Sequence, residues 1–351
     1  MRELGSRLRR LREDHLLTQD ELARKVGLSP KFISSIERGD RQPSLDSLVK
    51  LAGFFKVGTS SFLEEEVNVF DQLEKEHKNN KVLRKELEVF RKCCEDYLKI
   101  EKMSGRSLEE APVYQHQSPA EMARDERRRL GLGDEPVRDV FSLAELNGLR
   151  IFRQKVDPAV KLAGVFVHIE SSGASFAMIN THQKLGLQAV TAAHIYAHYL
   201  KDRRGGPVID NPDIFMDEYL SLYPRREQFA CLFAAYFLMP EEKIRSIIQK
   251  EWEGREIRYE QVVFLKRYFG VNTDTMLRHL NRLRILSYVD FMQYQKIDPV
   301  EFEKSLFNDR AGREEFQVSI KKKTLSSDRY KILAVSVLQD EGQRKKMKSE
   351  E

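Results

Sequence analysis

AVTAAHIYAHYLKD, residues 189–202, decides how the middle of this 351-residue chain is read. The run is rich in alanine and uncharged before Lys201, the pattern of a helix buried on most sides. His194 and His198 stand four apart, so a helix puts both on one face. That is the spacing of a zinc pair. In the zinc-helix pattern H-E-x-x-H the residue after the first histidine is a glutamate, the general base. Here it is Ile195. Two imidazoles can take two corners of a tetrahedron, and a third ligand must come from elsewhere. Histidines on such a helix also occur simply as core or surface residues, but EQFACLFAAYFLMP (227–240) weighs against that reading. It opens a strongly apolar helix with Glu227, and a carboxylate heading for the interior needs a partner. Cys231 shares the helix face of Glu227. Its thiolate could enter a fourth metal position, although free cysteine usually serves as a small buried apolar residue.

Upstream, LRIFRQKV (149–156), LAGVFVHI (162–169) and ASFAMIN (174–180) read as three short strands rich in Val, Ile and Phe. Downstream, helices are expected at about 183–201, 225–238, 241–251, 257–269 and 273–284. A further helix at 119–131 is closed by Gly131 and Gly133. SGRSLEEAPVYQHQSP (104–119) is punctuated like a linker. Residues 64–105 are highly charged, with Leu83, Leu87, Phe90, Cys94 and Tyr97 stepping by four and three. That supports a helical hairpin or a dimer seam of about two heptads. His168 and His182 are expected at the surface near strand ends, and Trp252 in the core. QRKKMKSEE (343–351) reads as a frayed tail.

Of the residues, 41% are hydrophobic and 33% charged, and the net charge of +5 permits a polyanion partner without demanding one. Three cysteines, two of them the adjacent Cys93 and Cys94, make no disulfide framework and suit a reducing cytosol. No apolar run approaches a membrane span. The opening MRELGSRLRRLRED has no apolar signal core, so a cytoplasmic protein without a membrane partner is expected.

Residues 1–62 alternate short amphipathic runs with turn signals. Thr18 and Ser29 sit where helices should begin, and Gly27 and Gly39 where they should stop. Helices 19–25 and 30–37, joined by VGLS, form a candidate helix-turn-helix, with Leu22, Ala23, Val26, Leu28, Ile33 and Ile36 as shared core. Lys31, Ser34, Ser35 and Arg38 then lie outside, free to touch DNA. A small helical bundle that binds protein instead is the competing reading.

TQDELARKVGLSPKFISSIERGDRQPSLDSLVKLA (18–52) resembles the Cro/C1 (Xre) repressor family almost position for position, and the likeness covers residues 4–63. It implies that Gln19 holds a phosphate, that Pro30, Lys31 and Ser35 face bases, and that Arg12 and Glu37 form an internal ion pair. Pro30 departs from the usual readout chemistry, since it can touch a thymine methyl but cannot donate a hydrogen bond. From about 119 to 285 the chain resembles the ImmA/IrrE family of zinc metallopeptidases. The likeness is carried by RRLGLG, PVRDVFSLAELNGLRI, the histidine helix and the E-x-x-A-x-x-F-A-A-x-x-L-M-P segment. It implies that His194, His198 and Glu227 are zinc ligands and that Ile195 replaces the catalytic glutamate. Loss of a positioned base costs ~10²–10⁴-fold. No catalytic residue is therefore assigned, although Glu218 is a remote substitute.

The expectation is a mostly α protein with a small β-sheet. An all-α helix-turn-helix domain (1–63) is followed by a helical connector (64–118), an α+β zincin-like domain (119–285) and a charged extension (286–351). The function expected is transcription regulation from a double-stranded operator, as a homodimer. The zinc-peptidase-like domain would act as a sensor of metal, peptide or a small molecule. An active zinc endopeptidase cutting itself or a repressor, and a metal-free dimerisation scaffold, are the alternatives.

Overall fold

The computed structural model describes residues 2–15, 17–59, 69–215, 220–254, 256–307, 324–326 and 329–338. The expected tail at 343–351 and Glu218 lie outside the described residues. The chain divides into two units, Met1–Asn68 and Val69–Glu351.

The first unit contains α1 (Arg2–Asp14), α2 (Gln19–Val26), α3 (Pro30–Glu37) and α4 (Leu45–Phe55). Local chemistry sets each boundary. Thr18 and Glu21 form a reciprocal capping box at the start of α2. Gly27 ends that helix at φ 67°, a left-handed conformation that suits glycine. The Ser29 side chain caps α3, and Pro30 occupies its first turn, where a missing N–H costs nothing. Leu8, Leu22, Ala23, Ile33, Ile36 and Leu51 bury together. Arg12 donates to Glu37 through Nε at 2.7 Å and Nη2 at 3.0 Å, and its Nη1 donates to the Leu17 carbonyl at 2.7 Å. This bidentate pair ties α1 to α3.

The second unit is built on a sheet of β1 (Leu149–Gln154), β2 (Gly164–Ile169), β3 (Ala174–Asn180), β4 (Val208–Asp210) and β5 (Thr324–Ser326), in the order β4-β2-β3-β1-β5. β1 and β3 are parallel; the other pairings are antiparallel. Every residue of β3 is buried, so both faces of the sheet must be covered. Alternate side chains point to opposite faces. Ala177 and Ile179 face α9 (Leu185–Lys201) and α10 (Arg225–Leu238), while Phe176 and Met178 face α6 (Lys81–Ser104). Around α9 and α10 pack α7 (Pro119–Arg129), α8 (Val140–Leu146), α11 (Glu241–Trp252), α12 (Tyr259–Phe269), α13 (Thr273–Arg282) and α14 (Tyr288–Tyr294). α5 (Val69–Glu76) lies with α6, and α15 (Pro299–Phe307) follows α14.

Three expectations need correction. The stripe Leu83, Leu87, Phe90, Cys94 and Tyr97 is not an open dimer seam. It is buried against Phe152, Val165, Val167 and Phe176 of its own sheet. Residues 105–118 are not a free linker. The Ala111 N–H donates to the Tyr199 hydroxyl at 2.8 Å and the Tyr114 N–H to the Leu200 carbonyl at 2.9 Å, which fastens the segment to α9. His168 is not at the surface, because its Nδ1 turns inward to the Ser175 hydroxyl at 2.9 Å across the β2–β3 ladder.

His279 on α13 is fully buried, with Nε2 2.9 Å from the Met239 carbonyl. Burial, and then the charge of Arg282, pushes its pKa down to about 3 from an ordinary 6.5. The unfolded chain therefore takes up this proton at a pH where the fold refuses it. Stability contributed above pH 6.5 is lost as pH falls toward about 3, at up to ~1.4 kcal/mol per pH unit. Denaturant midpoints measured from pH 7 to pH 4 should fall less steeply for His279→Gln than for the wild type. Equal slopes would contradict this assignment.

Candidate metal centre and nucleic-acid interface

α9 is apolar almost all round and sits between the sheet and α10. One glycine lets it approach. A Cβ on Gly164 of β2 would stand 2.7 Å from Ile195 Cδ1 and 2.9 Å from Thr191 Cγ2, closer than such contacts allow. Only a residue without a side chain seats the helix this tightly. Gly164 also pairs with Asp210 across the β2–β4 ladder. The first turn of α10 brings Glu227 to the same place.

His194, His198 and Glu227 converge. His194 Nε2 lies 3.1 Å from His198 Nε2 and 3.2 Å from Glu227 Oε2, and His198 Nε2 lies 3.4 Å from the same oxygen. The outer nitrogens are occupied. His198 Nδ1 meets Asp202 Oδ1 at 3.0 Å, and His194 Nδ1 meets Cys231 Sγ at 3.4 Å. A partner on Nδ1 orients a ligating imidazole and leaves Nε2 for the ion. The donor set, two imidazole nitrogens and a carboxylate oxygen, is one that zinc accepts, so the residues present fit that ion. Cys231 is half-buried and stands behind His194 rather than among the converging donors.

Sequence reasoning missed Asp210, whose ligand atom joins those three, all within 4.8 Å of one another. A three-residue strand carries no periodicity, and nothing in the spacing of VID marks its aspartate. Ile195 is fully buried beside the cluster, with its Cδ1 against Gly164. Burial is the largest single influence on His194 and opposes a proton there, but Asp210 and Cys231 together outweigh it and raise the imidazole well above its ordinary range. Burial likewise opposes a charge on His198, and hydrogen bonds to Asp202 and Glu227 raise it. Burial alone would raise Glu227; its hydrogen bonds to both histidines hold it far below the usual carboxylate range. The cluster is thus a matched set of negative oxygens and imidazoles.

In the first unit, Pro30 and Lys31 are exposed on α3, and Ser34 and Ser35 are half-buried. The Ser35 hydroxyl donates to the Phe32 carbonyl at 2.8 Å, and the Ser34 hydroxyl accepts from Arg38 at 3.1 Å. Arg38 also pairs with Asp40 at 2.7 Å, an exposed contact that costs little to break. Gln19 Nε2 donates to Glu37 Oε2 at 2.8 Å, so the carboxylate that holds Arg12 also holds the side chain expected at a phosphate. Arg41, absent from the expected set, lies over the Phe32 ring at 5.0 Å and adds a cation beside the first turn of α3. Its position after the GD turn was a readable signal.

Among the described residues no helix is long and apolar enough to cross a membrane. The helix-turn-helix family matches residues 8–62, and the IrrE N-terminal-like domain family matches residues 147–281. The immunity repressor protein of Bacillus phage phi105 is 33% identical over 113 residues, 32% of this chain and 74% of the relative. An uncharacterized HTH-type transcriptional regulator of Sinorhizobium fredii is 45% identical over 53 residues, 15% of this chain and 69% of the relative. A solved structure, the restriction-modification controller protein C.AhdI from Aeromonas hydrophila, is 34% identical, covering 17% of this chain and 92% of its own, with a TM-score of 0.17. The capped α2–turn–α3 unit, the two family matches and the likeness to the phage immunity repressor agree: the chain belongs to the Cro/C1-type helix-turn-helix transcription regulators, and it carries behind that domain an IrrE N-terminal-like domain of metallopeptidase-like fold.

Proposed function

We propose that this cytoplasmic regulator binds operator DNA as a homodimer through α3. In this reading the second unit holds a zinc ion at His194, His198 and Glu227, and serves as a regulatory input without hydrolysing peptides. The observation that carries the reading is the convergence of three ligand-type donors with buried, apolar Ile195 beside them. A bound zinc ion would supply a Lewis-acidic centre. Asp202 and Cys231 hold the imidazoles in place. Ile195 offers no atom to take a proton, so the relay that peptide hydrolysis needs is missing. Among the residues of α3, Lys31 and Pro30 present themselves to base edges, and Gln19 exchanges Glu37 for a phosphate. Dimerisation fits the paired half-sites such readers use.

The test combines metal analysis and DNA binding of the full chain. Protein purified without added metal should carry near-stoichiometric zinc, and casein should survive incubation with it. On DNA from the gene's own upstream region, Lys31→Ala should relax sequence discrimination by ~1–3 kcal/mol if the contact is bidentate, and by less if it is single. Gln19→Ala should weaken all sequences about equally, since phosphate contacts carry no base information. Chelator-sensitive casein cleavage by the wild type would overturn the non-catalytic reading, and metal-free protein would overturn the zinc site.

A further inference from the structure

We infer that Asp210 is a fourth protein ligand, so that this unit encloses a divalent transition-metal ion, zinc above all, in a closed site with no position for water. The inference rests on the metal reading above and goes beyond it in the ligand count and in what the site can admit.

Asp210 ends β4, and its backbone is fixed by the ladder to Gly164 and by its carbonyl accepting from the Ala163 N–H at 2.7 Å. Its side chain is almost wholly buried, and neither oxygen accepts a well-formed hydrogen bond among the described residues. A carboxylate in that position is costly unless something positive is meant to stand beside it. Its Oδ1 lies 3.2 Å from His194 Nε2. That nitrogen therefore has three neighbours at nearly equal range: His198 Nε2 at 3.1 Å, Glu227 Oε2 at 3.2 Å and Asp210 Oδ1 at 3.2 Å. One N–H cannot point at all three. A central ion accounts for them together. Donors held ~2.0–2.1 Å from zinc at tetrahedral angles stand roughly 3.3–3.4 Å apart. Four of the separations, 3.1–3.4 Å, match that spacing, and all four donors lie within 4.8 Å of one another, so two imidazole nitrogens and two carboxylate oxygens would draw in to complete that tetrahedron. Two carboxylates against a dication leave no net charge in a buried place.

Four protein donors are the mark of a structural site, whereas a catalytic one keeps a position for water or substrate. Asp210 thus removes the nucleophile's place, independently of the missing base at Ile195. The same contact fastens β4, the short edge strand, to α9 and α10.

The test uses the full-length protein loaded with cobalt(II) and titrated with thiocyanate, an anion that binds open metal positions. Wild type should give the strong visible absorption of a four-coordinate site, unchanged by the anion. Asp210→Ala should bind cobalt at least about tenfold more weakly, since loss of a partner even one shell out costs 10–100-fold. Its spectrum should shift on adding thiocyanate. If this variant does not fold, Asp210→Asn, which keeps the volume and one oxygen, is read in its place, with weaker cobalt binding expected. A wild-type spectrum that shifts with thiocyanate overturns the inference while leaving the metal reading intact. An Asp210 variant with unchanged affinity and no anion response overturns it too. Wild type that takes up neither cobalt nor zinc overturns both.

Discussion

Ile195→Glu is expected to leave the protein without peptidase activity and to destabilise it by about 3–5 kcal/mol, the cost of an uncompensated buried charge. The sequence alone leaves the opposite open for activity: if the domain is a peptidase that lost only its base, returning the base could restore some cleavage. The packing argues otherwise. Ile195 is fully buried, and its Cδ1 fills the space that Gly164 leaves open. A glutamate there would set a third carboxylate beside Asp210 and Glu227 in an apolar pocket. With Asp210 closing the site, a restored base would also find no water to activate. Denaturant unfolding measures the first effect and casein hydrolysis with and without chelator the second. Chelator-sensitive cleavage by the single variant would mean that the site keeps an open position. Cleavage only by the double variant Ile195→Glu/Asp210→Ala would show that both obstacles are real.

Phe90→Ala should lower stability by about 3–5 kcal/mol, a fall in Tm on the order of 10 °C for a unit of this size. Phe90 is fully buried in the layer between α6 and the sheet. Its ring meets Phe70 edge-on at 5.8 Å and Phe152 edge-on at 6.3 Å. Such pairs add ~0.5–1.5 kcal/mol to the burial itself. If α6 is a wall of the second unit, the variant melts early while its folded fraction keeps the wild-type sedimentation coefficient. Halved mass with unchanged Tm would instead restore the stripe to an interface between chains.

These two residues mark where sequence reading succeeds and where it stops. The helix-turn-helix is legible because its signals are local. Thr18, Gly27 and Ser29 fix boundaries within a few residues of themselves, and the structure places α2 and α3 where those caps put them. The three apolar strands and the histidine helix are legible for the same reason. The Leu83–Tyr97 stripe says only that one face must be covered, not by what. Its cover, the sheet face of Phe152 and Phe176, lies more than fifty residues on, and no local pattern names it. Segment 105–118 has the Gly, Ser and Pro of a linker, yet two of its backbone N–H groups donate to the end of α9, one to the Tyr199 hydroxyl and one to the Leu200 carbonyl, and make it a strap. Of the centre's donors, His194, His198 and Glu227 announce themselves by spacing and by charge in an apolar run. Asp210 owes its place to a strand pairing with Gly164, and that pairing is invisible until the chain is folded.

Gly164 also sets a scale. The helix rests on that strand through its own Ile195 and Thr191 side chains, with nothing added from the strand, and has α10 at its back, so the distance from the imidazoles to Asp210 is set by how helix and strand pack. A cage with rigid walls is a gauge. Calcium takes six to eight oxygens at ~2.3–2.6 Å, and enclosing it would require prying a strand from a helix. Four donors already within 4.8 Å of one another, three of them 3.1–3.2 Å from the fourth, His194 Nε2, ask for less such work from a smaller ion. Discrimination by radius is then a property of how closely a helix is allowed to approach a strand.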